Sequence, residues 1–339
     1  MLLSPQELQL VSRQAILGLD FYLTIKSRFA VSIHRAINLA KERGGESLFD
    51  ISPQTYIFPG DFEKWRVVAS DPNKIWISKP GDGARGEGIY LVTDPSAVTN
   101  QHNVLLQEYI TNPHLMNARK YTLRFYVAIT SLDPLRAWVF PEGLTKLATQ
   151  PFSLNPNSLD NLFIHLTNPD VLVKDTSNDF TRLRMTHTEY RKQLKEDGYD
   201  DNRLFEDIHA VIAKSLLAVR EPVLQLQQQN SHHHNSIDEQ YMLLGYDILV
   251  DSNMRPWVIE VNAGPSLKND AGETDIGIRE QAIKQRVATD ILVLAGKLPK
   301  TDVKFVPLFP SSKMSDWLPY YELVRESDKS DLRLFHFDR

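Results

Sequence analysis

Two short β-rich runs, each carrying acidic side chains among aliphatic ones, constrain this chain more than any other feature. Pro256-Trp257-Val258-Ile259-Glu260-Val261-Asn262 reads as a buried strand. Successive strand side chains alternate between faces, so Val258, Glu260 and Asn262 are expected to point the same way. A carboxylate and an amide among valines and isoleucines are costly to bury without partners. Gly245-Tyr246-Asp247-Ile248-Leu249-Val250-Asp251 is a second such run, and Asp251-Ser252-Asn253-Met254 supplies a turn between the two. The expected hairpin brings Asp247 close to Glu260, and two carboxylates beside Asn262 repel unless a cation sits between them. Mg²⁺ favours such oxygen ligands and completes its shell with phosphate and water, so Asp247, Glu260 and Asn262 are candidate metal ligands. A strand-end glutamate paired with arginine is the alternative.

At 339 residues the chain is too long for one compact core and too short for three ordinary domains. With 42% hydrophobic and 24% charged residues its composition is that of a soluble globular protein. A net charge of -5 gives no general reason to bind nucleic acid. The absence of cysteine excludes a disulfide framework and a Cys-based zinc site. The segment Met1 to Leu10 lacks the apolar core of a signal peptide, and no apolar run is long enough to span a bilayer. A cytoplasmic protein with no membrane partner is therefore expected.

Along the chain, residues from about Ser4 to Arg43 read as helical, with Ser4-Pro5 as N-cap and first helical position and Gly44-Gly45 as the stop. Asp61 is placed to cap a short helix through Ala69. Strands are expected at Ile75 to Ser78, near Ile89 to Val92, at Val104 to Gln107, Tyr121 to Thr130, Arg136 to Phe140 and Leu162 to Leu166. The polar segment Lys174 to Asp201 reads as irregular with some helix. Leu204 to Gln228 is amphipathic and reads as a long helix, and a second helix is expected from about Asp275 to Ala295. The proline-bearing final forty residues read as an irregular tail.

Lys79-Pro80-Gly81-Asp82-Gly83-Ala84-Arg85-Gly86-Glu87-Gly88-Ile89 joins two expected strands. Its glycines, Gly83, Gly86 and Gly88 among them, let the backbone approach a polyphosphate and aim N–H groups at it, with Lys79 and Arg85 beside them. It is not a Walker A sequence, and a plain flexible hairpin is the alternative. Gln107-Glu108-Tyr109-Ile110 would form a linker that meets an adenine, or an ordinary strand end. In Arg119 to Val127, Lys120, Thr122 and Arg124 share one strand face and Leu123 and Phe125 the other. Two cations on a sheet face suit a phosphate or a carboxylate, or else a solvated basic face. His165-Leu166-Thr167-Asn168 would close a strand at the same cleft or make a hydrogen-bonded turn. His232-His233-His234 lies in a Gln/Asn/Ser-rich stretch and reads as a solvated loop.

Taken in order, these pieces resemble the tubulin tyrosine ligase-like family, a branch of the ATP-grasp superfamily. The matching stretches are SPQTYIFPGDFEKW, WISKPGDGARGEGIYLV, LLQEYI, ARKYTLRFYVAITSLDPLRAWVFPEGLTKLAT, NLFIHLTN and LLGYDILVDSNMRPWVIEVNAGPSL, then the helix up to DILVLAG. They run from about Ser52 to Gly296. The resemblance implies an α+β ATP-grasp fold with the nucleotide bound between two α+β subdomains. It implies a helical N-terminal region (1–51), a central subdomain with the phosphate loop (52–118), a C-terminal subdomain with the metal site (119–297) and a tail (298–339). Lys79 would hold the phosphates, the loop 81–88 would act as a lid, and Gln107 to Ile110 would surround the adenine. Lys120 and Arg124 would lie near the γ-phosphate and the acyl group as catalytic residues. Asp247, Glu260 and Asn262 would hold Mg²⁺, with Asn168 nearby.

The family activates a carboxylate as an acyl phosphate, which an amine attacks to form an amide with release of ADP and phosphate. The implied cofactors are ATP and Mg²⁺, and the implied partners a free amino acid (glutamate, glycine or tyrosine) and a protein or peptide acceptor. Members often have Asp where this chain has Thr122. They usually have Arg where Lys146 stands, a non-equivalent change for a bidentate carboxylate contact. The segment from Lys300 to Arg339 carries seven Lys/Arg and seven Asp/Glu, so it lacks the basic patch with which microtubule-attaching relatives meet an acidic lattice. Tubulin is therefore one acceptor among several. The expectation is an ATP-dependent amino acid ligase, with a catalytically impaired nucleotide-binding interaction module and a small-metabolite ATP-grasp ligase as the alternatives.

Overall fold

Alternation along the strand Arg119–Leu132 decides the architecture. Its odd positions Leu123, Phe125, Val127 and Ile129 are apolar and buried in the largest core. Its even positions change character along the strand: Lys120, Thr122 and Arg124 face a cavity, whereas Tyr126 and Ala128 enter a second core. One strand thus backs a hydrophobic layer and floors a polar cleft. The computed structural model describes residues 7, 11, 16–42, 44–45, 48–83, 86–176, 183–229, 241–268, 272–299 and 302–308.

In chain order the elements are α1 (Leu19–Leu23), α2 (Lys26–Lys41), β1 (Thr55–Ile57), α3 (Phe62–Ala69), β2 (Trp76–Pro80), β3 (Tyr90–Val92), β4 (Val104–Glu108), β5 (Leu115–Met116), β6 (Arg119–Leu132), β7 (Leu135–Val139) and β8 (Leu144–Leu147). They continue with α4 (Leu162–His165), α5 (Pro169–Leu172), β9 (Arg184–Thr186), α6 (His187–Glu196), α7 (Asp201–Gln229), β10 (Met242–Val250), β11 (Pro256–Ala263), α8 (Asp275–Leu294) and β12 (Val306–Pro307). The small sheet is antiparallel in the order β1-β4-β2-β3, and α3 packs on it through Trp65, Trp76, Tyr56 and Phe58. The large sheet runs β11-β10-β6-β7-β12, with β8 also paired to β6 and β9 to β8. Helices α2 and α7 cover one of its faces through Phe29, Ile33, Ile212 and Leu216. Helix α8 covers part of the other through Ile283, Val287 and Ile291. The fold is a mixed helix-and-sheet one, as the sequence indicates.

Several local expectations are corrected. Leu162 to Leu166 is not a strand but the one-turn helix α4, because the Asn161 side chain accepts the Phe163 N–H and starts a helical turn. Within the stretch Lys174 to Asp201, the described residues from 183 onward are more regular than expected, forming β9 and α6. Thr186 and Glu189 form a complete capping box at the start of α6, a pattern written openly as Thr-x-x-Glu. Asp61 precedes α3 as expected, but its carboxylate accepts the Ile57 N–H at 3.1 Å rather than capping the helix. The helical stop at Gly44-Gly45 is observed: Gly44 has φ +83°, and the two N–H groups reach back to Lys41 and Ala40. In the C-terminal stretch read as irregular, Val306–Pro307 pairs with β7. Ser4-Pro5, Arg85 and His232 to His234 lie outside the described residues. Among the described residues no helix is long and apolar enough to cross a membrane.

Candidate active site

The two sheets together line a cavity of about 770 Å³. From the small sheet come Lys79, near the end of β2, and Gln107 and Glu108 of β4, followed by Tyr109 and Ile110. From the large sheet come Lys120, Thr122 and Arg124 of β6, Lys146 of β8, Asp247 of β10, and Glu260 and Asn262 of β11. Asn168 enters as the N-cap of α5. Gly83 and Gly86 line the same space. Gly88 has φ +68° and packs against Pro80, where it shapes the turn. Gly86 is required twice over: it adopts φ +78°, and a Cβ there would lie 2.8 Å from Val171 Cγ2. The described residues expected in the cleft therefore converge there, Gly88 as part of its loop.

The lysines set the electrostatics. Lys79 Nζ donates to Gln107 Oε1 at 2.6 Å, and Gln107 donates in turn to Thr55. Burial lowers Lys79 to about 8, against the pull of Glu260. Lys120 Nζ donates to the Tyr109 hydroxyl at 3.0 Å, and burial together with the Lys79 charge lowers it to about 7. Among the described residues neither ammonium has a carboxylate within ion-pair distance; both rest on neutral oxygens.

The second cluster surrounds Asp247. Register pairs Asp247 with Arg124 on β6 and with Glu260 on β11. Arg124 forks onto the carboxylate, Nε to Oδ1 at 2.9 Å and Nη2 to Oδ2 at 2.7 Å, and Lys146 Nζ lies 3.5 Å from Oδ1. Burial opposes the charge on Asp247, but Arg124 and Lys146 outweigh it and hold the carboxyl below its ordinary range. Burial, reinforced by Arg124, lowers Lys146 to about 8. Glu260 pairs with Lys26 of α2 at 2.8 Å, and Lys26 also donates to the Gly83 carbonyl at 2.7 Å. Thr122 shares a hydrogen bond with Thr167 at 2.7 Å.

One expectation about β11 fails. Val258 is buried in the main core, whereas Glu260 and Asn262 face the cavity. The ladder shifts between Asp247 and Ile248, which pair with Glu260 and Val258, so Ile259 is an extra residue that reverses the alternation. The bulge lets a core-facing valine precede a cleft-facing glutamate by two positions.

The carboxylates of Asp247 and Glu260 and the amide of Asn262, on adjacent strands, are the donor types a hard divalent cation takes. Each is engaged within the chain: Arg124 and Lys146 hold Asp247, Lys26 holds Glu260, and Asn262 donates its Nδ2–H to Asp247 Oδ2 at 3.3 Å. A metal would therefore bind in exchange for these partners. Among the described residues no cluster of three or more His, Cys, Asp or Glu is formed. Three protein ligands would leave the other positions of an octahedral Mg²⁺ to phosphate oxygens and water.

Sequence reasoning missed Lys26, Arg184, Glu280 and Lys284. Arg184 Nη1 lies 2.8 Å from Glu280 Oε2 and Lys284 Nζ 2.6 Å from Glu280 Oε1, all three buried, with Glu280 and Lys284 lining the cavity beside Lys146. The available signal was an i,i+4 Glu–Lys pair on the inward face of α8, indistinguishable by spacing from a solvated pair.

Comparison with known proteins bears on this arrangement. The family model described as "Tubulin-tyrosine ligase family" matches residues 17–298. The tubulin polyglutamylase TTLL5 of Homo sapiens is 29% identical over 322 residues, 90% of this chain and 24% of that protein. The tubulin monoglutamylase TTLL4 of Homo sapiens is 33% identical over 270 residues, 77% of this chain and 22% of that protein. The tubulin polyglutamylase TTLL6 of Mus musculus is 32% identical over 258 residues, 73% of this chain and 30% of that protein. The chain spans less than a third of the length of these relatives. With a match across most of its length, and with the cleft built from the motifs that carry the likeness, the chain belongs to the tubulin-tyrosine ligase family.

Proposed function

We propose that the cleft binds ATP and joins a free amino acid, glutamate, to a carboxylate of a protein acceptor. The observation that carries this reading is the pair Lys79 and Lys120: two buried ammonium groups, facing one cavity, bonded only to neutral oxygens. Buried charge without a counter-ion is costly, and a polyphosphate supplies the missing anion. Apolar walls from Ile77, Ile110, Leu166 and Ile259 suit a flat base beside it. The small sheet (52–118) and the large one (119–297) would then act as the two subdomains that close on the nucleotide, with the loop 81–88 as lid.

In the reaction, an acceptor carboxylate oxygen attacks the γ-phosphorus, ADP leaves, and an acyl phosphate forms. The amino group of the incoming amino acid attacks the acyl carbon, phosphate departs, and the nitrogen loses a proton to solvent. Lys79 and Lys120 hold the phosphates and offset charge that grows on the leaving ADP. Arg124, already aligned by Asp247, faces the transferred group. Lys146 and Lys284, beside it, present ammonium donors to the carboxylates of the incoming amino acid. Asp247, Glu260 and Asn262 would hold Mg²⁺, which neutralises phosphate charge when bound. Glutamate and a tubulin acceptor are what the names of the relatives specify, and the cationic surroundings of Lys146 support an acidic amino acid. Free ATP and amino acids make the cytoplasm the fitting setting.

The test is ADP formation with ATP, Mg²⁺ and each of the twenty amino acids, with tubulin and a cell-extract protein pool as acceptors, followed by mass spectrometry. The expected result is turnover dependent on glutamate, with a matching mass gain on an acceptor. ATP binding with no turnover under any combination would favour a nucleotide-binding module instead.

A further inference from the structure

We propose that His165 is a positioning residue that orients the Lys120 ammonium through the Tyr109 hydroxyl. The proposal rests on the reading of the cleft as a polyphosphate site. Tyr109 Oη lies 3.0 Å from His165 Nδ1 and 3.0 Å from Lys120 Nζ. On the far side of the ring, His165 Nε2 lies 3.1 Å from the Ser158 carbonyl oxygen. A carbonyl oxygen only accepts, so Nε2 carries the hydrogen, and in the neutral ring Nδ1 is left as an acceptor. The Tyr109 O–H must therefore donate to His165, which turns its lone pairs toward Lys120, a group with donors only. The direction of each bond is fixed inward from the Ser158 backbone.

The surroundings make this arrangement rigid. His165 closes α4, whose start is capped by Asn161, and its ring meets Tyr109 edge-on at 5.6 Å between centroids. Burial lowers the His165 pKa, and Lys120 pushes the same way against the bond to Ser158, a direction that favours the neutral ring the bonds describe. The ammonium also sits 4.2 Å from the Tyr109 ring centroid, a favourable cation–π distance. The groups that face Lys120 are Tyr109 after β4, with His165 of α4 behind its hydroxyl, and the like-charged Lys79 of β2. The Tyr109 oxygen is the one hydrogen-bond acceptor given to Lys120 among the described residues. With one N–H committed there, two remain for phosphate oxygens. Without His165 the hydroxyl is free to turn its proton toward Lys120 and repel it.

The test is calorimetric titration of the full chain with ATP and Mg²⁺, comparing His165→Leu, Tyr109→Phe, the double variant and His165→Gln. Each single variant is expected to weaken ATP binding about tenfold, the size of one hydrogen bond to a charged group. The double variant is expected to bind no more weakly than Tyr109→Phe, because both changes break one chain of bonds. His165→Gln, which keeps an acceptor, is expected to recover most of the loss. Long-range ¹H–¹⁵N spectra of the nucleotide-free chain are expected to show His165 neutral with its hydrogen on Nε2. Additive losses, unchanged binding by His165→Leu, or a hydrogen on Nδ1 would overturn the proposal while leaving the polyphosphate reading intact. Failure of the unaltered chain to bind ATP would overturn that reading, and the spectra would still decide the bond.

Discussion

At the scale of single residues, the cleft is organised by buried charges whose stability cost and functional use oppose each other. Lys120 is held at about 7 by burial and by Lys79. Its unfolded-state value is 10.5, so between these limits the unfolded chain holds more protons than the folded one. The folded state bears the full penalty below about pH 7 and sheds it as pH rises toward 10.5. Lys120→Met is therefore expected to raise the melting temperature of the nucleotide-free protein near pH 6.5. That advantage should shrink steadily as the pH approaches 10; an advantage that grows with pH would contradict the assignment. Arg124→Ala has the opposite sign, because it strips a forked partner from buried Asp247. Loss of about 3 kcal/mol is expected, near the low end for a broken buried pair because Lys146 remains 3.5 Å away. Denaturant titration checks it, and a change near zero would mean that the carboxylate is solvated.

At the scale of elements, the hairpin β10–β11 shows what the sequence makes legible and where it stops. The period-two pattern of β6 placed Lys120, Thr122 and Arg124 on one face correctly, because side-chain alternation is a property of the strand alone. The bulge at Ile259 was not legible, since an extra residue in one strand shows only against its partner. The same limit hid Lys26 and the Arg184–Glu280–Lys284 set, which become site residues only when distant elements pack together. Leu162 to Leu166 is too short for periodicity to separate strand from helix, and the Asn161 cap decides it. Two predictions belong to this scale. Glu260→Gln is expected to abolish ADP formation while circular dichroism stays native and stability falls by about 1 kcal/mol or less; normal turnover in the folded variant would remove Glu260 from the reaction. Thr186→Ala, which breaks the capping box of α6, is expected to cost about 1 kcal/mol in thermal unfolding.

At the scale of the whole molecule, helix α2, the glycine loop and β11 meet at one side chain. Lys26 bonds both the Gly83 carbonyl and Glu260, and so ties the glycine loop to β11. Lys26→Ala is expected to speed amide hydrogen exchange in residues 81–88 without changing exchange in β6; equal protection in both proteins would show that the loop is held elsewhere. The central claim, that two lysines from two sheets, without a carboxylate partner among the described residues, make this cleft a polyphosphate site, is tested most directly by calorimetric titration of ATP with Mg²⁺ into the unaltered chain and Lys79→Met. The unaltered chain is expected to bind, and the variant to bind at least about tenfold more weakly, as loss of a charge-assisted contact requires. Equal affinity in the two proteins, or no binding by either, would contradict the claim.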